Sequence, residues 1–213
     1  MEKLVMPDYY EIHIPQMASE ANLQLADPSL VNYYSDLENR IYWLNDEISS
    51  CTFDLIQYIT RWNREDKEVP VEQRKPIRLI IDCAGGALSV SETVSNIIKM
   101  SKTPVYGIAL GYVASGASVI YLSCHKRYAL PNSVFVLHKG SCSGVSGTYD
   151  EIVSFARDYE KQIEMLIRFY INYTNYTEEE IEENIQTDWY IRIEEALEKG
   201  IVDEVITDID ILC

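Results

Sequence analysis

Basic residues are scarce in this chain: 18 lysines and arginines stand against 34 aspartates and glutamates, for a formal net charge of -16. A surface of that sign repels a phosphate backbone, so nucleic acid is not expected as a partner. Cysteines are few and odd in number, and no C-x-x-C pair occurs among Cys51, Cys83, Cys124, Cys142 and Cys213. They fit neither a disulfide framework nor a zinc site. Only three histidines occur, none at H-x-x-H spacing, so no metal is expected. No basic-then-apolar leader opens the chain, since Met1 to Pro7 already holds two charges and a proline. A reducing cytoplasm is the expected home. Long charge-free runs are missing as well, with one exception. Thr103 to Cys124 is 22 residues without a charge, but its three glycines and four Ser or Thr follow strand, turn and helix better than one membrane span.

With 213 residues, 47% hydrophobic and 24% charged, the chain has the composition of an ordinary globular protein and a length that suits one domain, or one domain with an appendage. Residues 1–35 carry scattered prolines (Pro7, Pro15, Pro28) and no clear period, which predicts an extended N-terminal arm that is flexible or docks a partner. The regular fold is expected over residues 36–213. Arg40 to Leu44 has strand character, and Phe53, Ile56 and Ile59 to Trp62 suggest a helix, followed by a charged loop from Arg61 to Pro76. Strand and helix then alternate. Ile77 to Ile81 is strand-like, Gly85-Gly86 breaks it, and Val90, Val94, Ile97 and Ile98 fall at helical spacing. Val105 to Leu110 is a second strand, Ala114 to Ser118 opens a buried helix, and short strands flank the Pro131-Asn132 turn.

This order argues an α/β class with crossover helices on a sheet. Ser141 to Gly147 is a Gly/Ser loop. After it, Ile152, Ala156, Tyr159, Ile163, Leu166, Ile167 and Tyr170 mark one stripe of a long helix over about 149–173, with Phe155, Phe169, Tyr173 and Tyr176 as further aromatic surface. Thr177 and Glu180 form a capping-box signature for an acidic helix, Gly200 stops a short helix begun at Ile193, and Val202 to Ile206 is a closing strand. No internal repeat is present.

Two segments could carry chemistry. Gly111-Tyr112-Val113-Ala114-Ser115-Gly116-Ala117 places a hydroxyl where an apolar strand turns into a helix, whose free N–H groups would face a developing oxyanion. The spacing is near a nucleophile elbow without matching G-x-S-x-G, and by itself the segment also reads as a small-residue packing turn. Of the histidines, His13 lies in the arm and His125 in a basic turn. His138 ends an apolar strand, where a histidine can meet a serine from a neighbouring strand or serve a purely structural role.

In order along the chain, Cys83-Ala84-Gly85-Gly86, the Ser115 segment and Leu130-Pro131-Asn132-Ser133 with His138 five residues later resemble the proteolytic subunit of the ATP-dependent Clp protease (ClpP). That family shows Ser-Pro-Gly-Gly, Gly-Gln-Ala-Ala-Ser-Met-Gly-Ala and Leu-Pro-Asn-Ser at these places. The resemblance runs from about Arg40 to Ile206 and takes in Glu195-Ala196 and Gly200-Ile201-Val202-Asp203-Glu204-Val205. It implies a ClpP/crotonase-like fold of repeated β-α-β units with a protruding handle helix. It further implies a serine endopeptidase with Ser115 as nucleophile, His138 as base, Asp188 as third member, and the backbone N–H groups of Gly86 and Gly116 as oxyanion donors.

Also implied are heptameric rings stacked as a tetradecamer, an AAA+ Clp unfoldase as partner and unfolded polypeptides as substrates. No cofactor is expected on this chain, which lacks a G-x-x-x-x-G-K-[ST] loop, so ATP use would fall to the partner. Departures are Gly116 for a usual methionine, Gln186-Thr187 for a usual Asp-Arg, His138-Lys139-Gly140 for His-Gln-Pro, and Arg78 and Ile80 at tyrosine positions. The alternatives are a crotonase-type acyl-CoA hydratase or isomerase, which needs carboxylates and no serine nucleophile, and a non-catalytic scaffold subunit of a mixed ring.

Overall fold

A computed structural model describes residues 3–6, 10–13 and 28–212. The chain divides into two units, residues 1–38 and 39–213. In the first, strands β1 (Lys3–Met6) and β2 (Tyr10–His13) pair antiparallel, with Lys3 opposite His13. Helix α1 (Pro28–Glu38) follows. These elements replace the extended arm expected from the sequence for the residues described. Pro28 there is not a breaker: it occupies the first helical position, where a missing N–H costs nothing and a fixed φ helps.

The second unit is built on a seven-stranded sheet. Strands β3 (Ile41–Leu44), β4 (Ile77–Cys83), β5 (Val105–Ala114), β6 (Lys126–Ala129) and β9 (Glu204–Val205) run parallel in that order. Between them stand helices α2 (Phe53–Glu65), α3 (Leu88–Met100) and α4 (Gly116–Leu122). Strand β4 is buried from Ile77 to Ile81, a run apolar but for Arg78, as expected of a strand covered on both faces. All seven residues of α4 are buried. The charge-free segment Thr103 to Cys124 is therefore a core strand and core helix, and among the described residues no helix is long and apolar enough to cross a membrane.

The sheet forks along β5. Its first half, Tyr106 to Ala109, pairs with β6, and its second half, Tyr112 to Ala114, pairs with β7 (Val134–Leu137). The register against β4 slips at the same place, because Ile81 faces Ala109 whereas Cys83 already faces Val113. Such a bulge bends a strand and re-aims the side chains beyond it. The Asp82 carboxylate fills the gap in the ladder by accepting from the Tyr112 N–H at 2.8 Å. Gly111 gives it room, since a Cβ there would stand 3.1 Å from Asp82 Oδ1.

Beyond β7 the chain forms the long helix α5 (Tyr149–Tyr173), the acidic helix α6 (Glu178–Asn184), strand β8 (Trp189–Arg192) and helix α7 (Ile193–Glu198). Both α5 and α6 begin at capping boxes, Thr148 with Glu151 and Thr177 with Glu180. The sequence reading has no counterpart for β8, and it extends the closing strand beyond the two residues of β9. Only Leu166 and Tyr170 are buried along α5. Tyr176, expected as exposed aromatic surface, is instead buried: its ring lies 4.5 Å from that of Trp189 and its hydroxyl donates to Glu195 Oε1 at 2.7 Å.

One buried ion pair ties the end of α2 to the start of β3. Arg40 donates to both Asp66 oxygens at 2.6 and 2.8 Å, and Thr103 Oγ1 adds a third bond to Asp66 at 2.8 Å. The Arg40 hydrogen bonds hold the Asp66 carboxyl below its usual value, against the opposing effect of burial and with help from Thr103. A lowered folded pKa stabilises the fold above the unfolded value of 3.8, and that contribution is lost as the pH falls through the folded value. Asp66→Ala should cost about 3 kcal/mol by leaving Arg40 buried without its carboxylate. Thermal unfolding at neutral pH checks this, and the difference between the two proteins should shrink below about pH 4.

Candidate active site

Strand register alone brings the three candidate side chains to one place. Strands β7 and β8 are antiparallel with Leu137 opposite Trp189, so one step further sets His138 opposite Asp188. Strand β5 runs parallel to β7 with Ala114 beside Val136, and the Ser115 N–H donates to the Val136 carbonyl at 3.0 Å. Ser115 thus leaves the sheet beside the strand that delivers His138. The side chains complete the alignment: His138 Nδ1 lies 3.0 Å from Asp188 Oδ1 and His138 Nε2 lies 2.7 Å from Ser115 Oγ. A carboxylate can only accept. Nδ1 therefore carries the ring proton toward Asp188, Nε2 is left as an acceptor, and the Ser115 hydroxyl is the donor to it.

The backbone at Ser115 is strained. Its φ of 54° and ψ of -125° lie where a side chain is rarely tolerated, at a cost of order 1–3 kcal/mol. A strand-to-helix turn of this kind exposes the hydroxyl at the sheet edge, as nucleophile elbows do. Gly85 makes the turn possible. A Cβ on Gly85 would stand 2.7 Å from both Ser115 Cβ and the Ala114 carbonyl oxygen, and its φ is +104°.

Gly86 is held by a parallel bridge to Ile48, in which the Ile48 N–H donates to Gly85 O at 2.8 Å and the Ala87 N–H to Ile48 O at 2.9 Å. That pattern spends its neighbours on Ile48 and turns the N–H of Gly86 to the opposite side. Any Cβ on Gly86 would run into the Ile48 backbone. Cys83, which is buried, braces the same loop: its thiol donates to Asp46 O at 3.0 Å and accepts from the Gly85 N–H at 3.3 Å. Burial raises the Cys83 pKa against the opposing Gly85 contact, so it acts as a structural thiol.

Ser115, Gly86, Gly116 and His138 line a cavity of about 530 Å³ whose far wall comes from α5. Gly116 opens α4 and packs so closely on α3 that a Cβ would run into Ser91 Oγ. Tyr112 and Tyr190 stand beside Asp188. Burial raises the Tyr112 pKa first, and its hydrogen-bonded neighbour Tyr190 and the Asp188 charge add to the shift. The structure brings the three expected side chains together and sets both expected glycines in the lining of the same cavity; the sequence reading has Gly85 and Tyr112 only as members of motifs and gives Asp82 no part in shaping the site. The remaining histidine of the second unit is structural: His125 Nδ1 accepts from the Val105 N–H at 3.0 Å. His13 lies in the first unit.

Residues 31–208 match the Clp protease family. The chain belongs to the Clp protease family. It is a divergent member, similar to proteins named as proteolytic subunits of ATP-dependent Clp proteases. One, proteolytic subunit 2 of Treponema denticola, is 31% identical over 62% of this chain and 66% of its own length. Another, proteolytic subunit 2 of Treponema pallidum, is 30% identical over 80% of this chain and 83% of its own length. The solved structure of a ClpP1 point mutant from Listeria monocytogenes superposes with a TM-score of 0.69 at 24% identity, covering 85% of this chain and 99% of that one. The fold is therefore the ClpP fold expected from the sequence. The crotonase-type alternative finds no support in these relatives.

Two departures from the Clp protease pattern meet in space. Lys139 Nζ donates to Gln186 Oε1 at 3.0 Å, so the residue after His138 clasps the residue two before Asp188. Ile80, at one tyrosine position, is buried with Ile41, Ile108 and Tyr128. Arg78, at the other, donates to the Asn39 carbonyl at 3.1 Å.

Gly85→Ala tests the turn directly. The added methyl must push Ser115 away at a backbone angle that alanine resists, so folded stability should fall by at least about 1 kcal/mol. Hydrolysis of a short fluorogenic peptide should drop about 100-fold, as a displacement of an ångström can cause. Unchanged stability and rate would show that Gly85 does not set the position of Ser115.

Proposed function

We propose that this chain is a serine endopeptidase, the proteolytic subunit of an ATP-dependent Clp-type protease, acting on unfolded polypeptides. One observation carries the reading: His138 bridges Ser115 and Asp188 at 2.7 and 3.0 Å, and a carboxylate partner at Nδ1 favours the tautomer whose Nε2 can take the serine proton. Ser115 Oγ attacks the peptide carbonyl carbon while His138 Nε2 accepts its proton. Asp188 fixes the ring and stabilises the imidazolium. The N–H groups of Gly86 and Gly116 hold the tetrahedral oxyanion, after which His138 returns the proton to the leaving amine. Water then attacks the acyl-serine by the same route, and Ser115 is regenerated. The chemistry needs no cofactor on this chain, and ATP use falls to the partner.

The assembly completes the proposal: heptameric rings, stacked as a tetradecamer in the cytoplasm, fed by an AAA+ Clp unfoldase. Its support is family membership together with the exposed apolar side chains along α5. Tyr149 is 80% exposed, Ile152 43% and Met165 60%, a surface that a lone subunit would leave in water. A scaffold role without catalysis is disfavoured, because a scaffold has no need of the strained serine or its histidine bond.

Ser115→Ala should abolish peptide hydrolysis with little change in thermal unfolding, since one small side chain replaces another. Full residual activity would overturn the assignment of the nucleophile. For assembly, Phe155 is a poor probe because it lines the Ser115 cavity. Ile152→Glu changes the exposed surface of α5 and should yield assemblies of lower mass in native mass measurements, with peptide hydrolysis falling alongside. An unaltered mass would argue against stacking through α5.

A further inference from the structure

The chain is strongly acidic, yet one cleft on its surface carries only positive charge. It has a volume of about 340 Å³ and lies between the second halves of α2 and α3, where Ile59, Ile97 and Met100 give it apolar surface and Lys67, Arg74 and Lys102 its charge. No acidic residue lines it. Arg74 is oriented by its Nε, which donates to the Val69 carbonyl at 2.9 Å. Its charge reaches Asp66, but that carboxylate is already held by Arg40. None of the three cations forms an ion pair among the described residues. Met100 leaves 68% of its surface in water. Apolar surface bordered by charge of one sign suits a partner of the opposite sign.

The chain itself carries the complement. Beyond β9 the turn Ile209–Leu212 packs Ile211 and Leu212 against Ile41, Ile80, Ile108, Tyr128 and Ile206 on the sheet. That anchor leaves the start of the turn facing outward: Ile209 is 68% exposed, and Asp208 and Asp210 stand exposed on either side of it. Asp208 braces the turn by accepting from the Asp210 N–H at 2.9 Å. One apolar side chain between two carboxylates matches the chemistry of the cleft. The acidic helix α6 is a poorer match, because its one apolar residue, Ile181, is buried and Glu180 is held by Lys199.

The two features belong to opposite edges of the sheet. The turn follows β9, the strand at one edge, whereas α2 follows β3, the strand at the other. A contact of this kind between identical chains is heterologous: each copy offers its turn to the next and its cleft to the one before, and a ring forms where the rotation closes.

We infer that the cleft receives the Asp208-Ile209-Asp210 turn of a second copy of this chain, and that this contact joins neighbours within a ring. The inference rests on the ring assembly proposed above and not on the chemistry of Ser115. In the contact Ile209 covers the apolar surface at Met100 while Asp208 and Asp210 meet the three cations. It is held by charge as well as by apolar area, so it weakens as salt is raised.

The test uses the full-length protein and native mass measurements over a dilution series. Asp210→Lys and Lys102→Glu each set like charges against one another, at exposed side chains whose exchange should leave thermal unfolding unchanged. Each should raise the concentration at which the assembly falls apart by about 10-fold, as an attraction is replaced by a repulsion. The species released is smaller than a ring, whereas losing the stacking through α5 leaves rings whole. The chain carrying both substitutions restores opposite charges in every contact and should return to within about 3-fold of the wild type. An assembly unaffected by either single substitution would overturn the inference, and it is the result expected if the cleft serves an acidic segment of a different protein. A doubly substituted chain no tighter than the weaker single variant would overturn it too. If the wild type stays monomeric at every concentration, the ring proposal fails and takes this inference with it. Assembly that ignores the substitutions removes only the inference.

Discussion

The contact between Gly85 and Ser115 is the constraint on which the site depends. Two backbone segments, the turn after β4 and the turn after β5, approach until no Cβ fits on the glycine. That approach lets Ser115 hold a φ of 54°, and the unusual angle is what turns its hydroxyl out of the sheet toward His138. The strain is retained because its surroundings over-determine it. The Ile48 bridge fixes Gly86 from one side, the Cys83 thiol holds the Gly85 N–H, and Asp82 steadies the bulge in β5. A loop residue with side-chain freedom would not keep two N–H groups and a hydroxyl aligned.

The fork in the sheet supplies the rest. Because β5 exchanges β6 for β7 midway, its end lies beside a strand that β8 extends antiparallel. Cross-strand neighbours in such a pair have a fixed spacing, which places Asp188 opposite His138 without a special loop. The Lys139 to Gln186 clasp lies at the same end of this ribbon. It joins two positions at which the chain departs from its family's pattern.

Much of this is legible in the sequence, where one element has one physical reading. Helix α5 announces itself by a stripe over many turns and occupies Tyr149–Tyr173. The α/β alternation follows from apolar runs punctuated by Gly85-Gly86 and Gly116. Motif resemblance reaches the three site side chains, and strand register explains why they meet. The hidden parts have equally physical causes. Trp189 to Arg192 is only four residues and has no alternation to mark it as a strand until β7 is there to pair with it. Pro28 is a breaker or a helix starter depending on the residues it precedes. Tyr176 is surface or core according to whether Trp189 arrives beside it.

The central claim is that backbone geometry makes Ser115, and no other hydroxyl, the reactive group. Reaction of the native chain with a fluorophosphonate, followed by peptide mapping of the adduct by mass spectrometry, tests it most directly. The account predicts one phosphonyl group per chain, carried on Ser115 and lost when the protein is unfolded before labelling. An adduct at another residue, or no adduct on a chain shown to be folded, would contradict it.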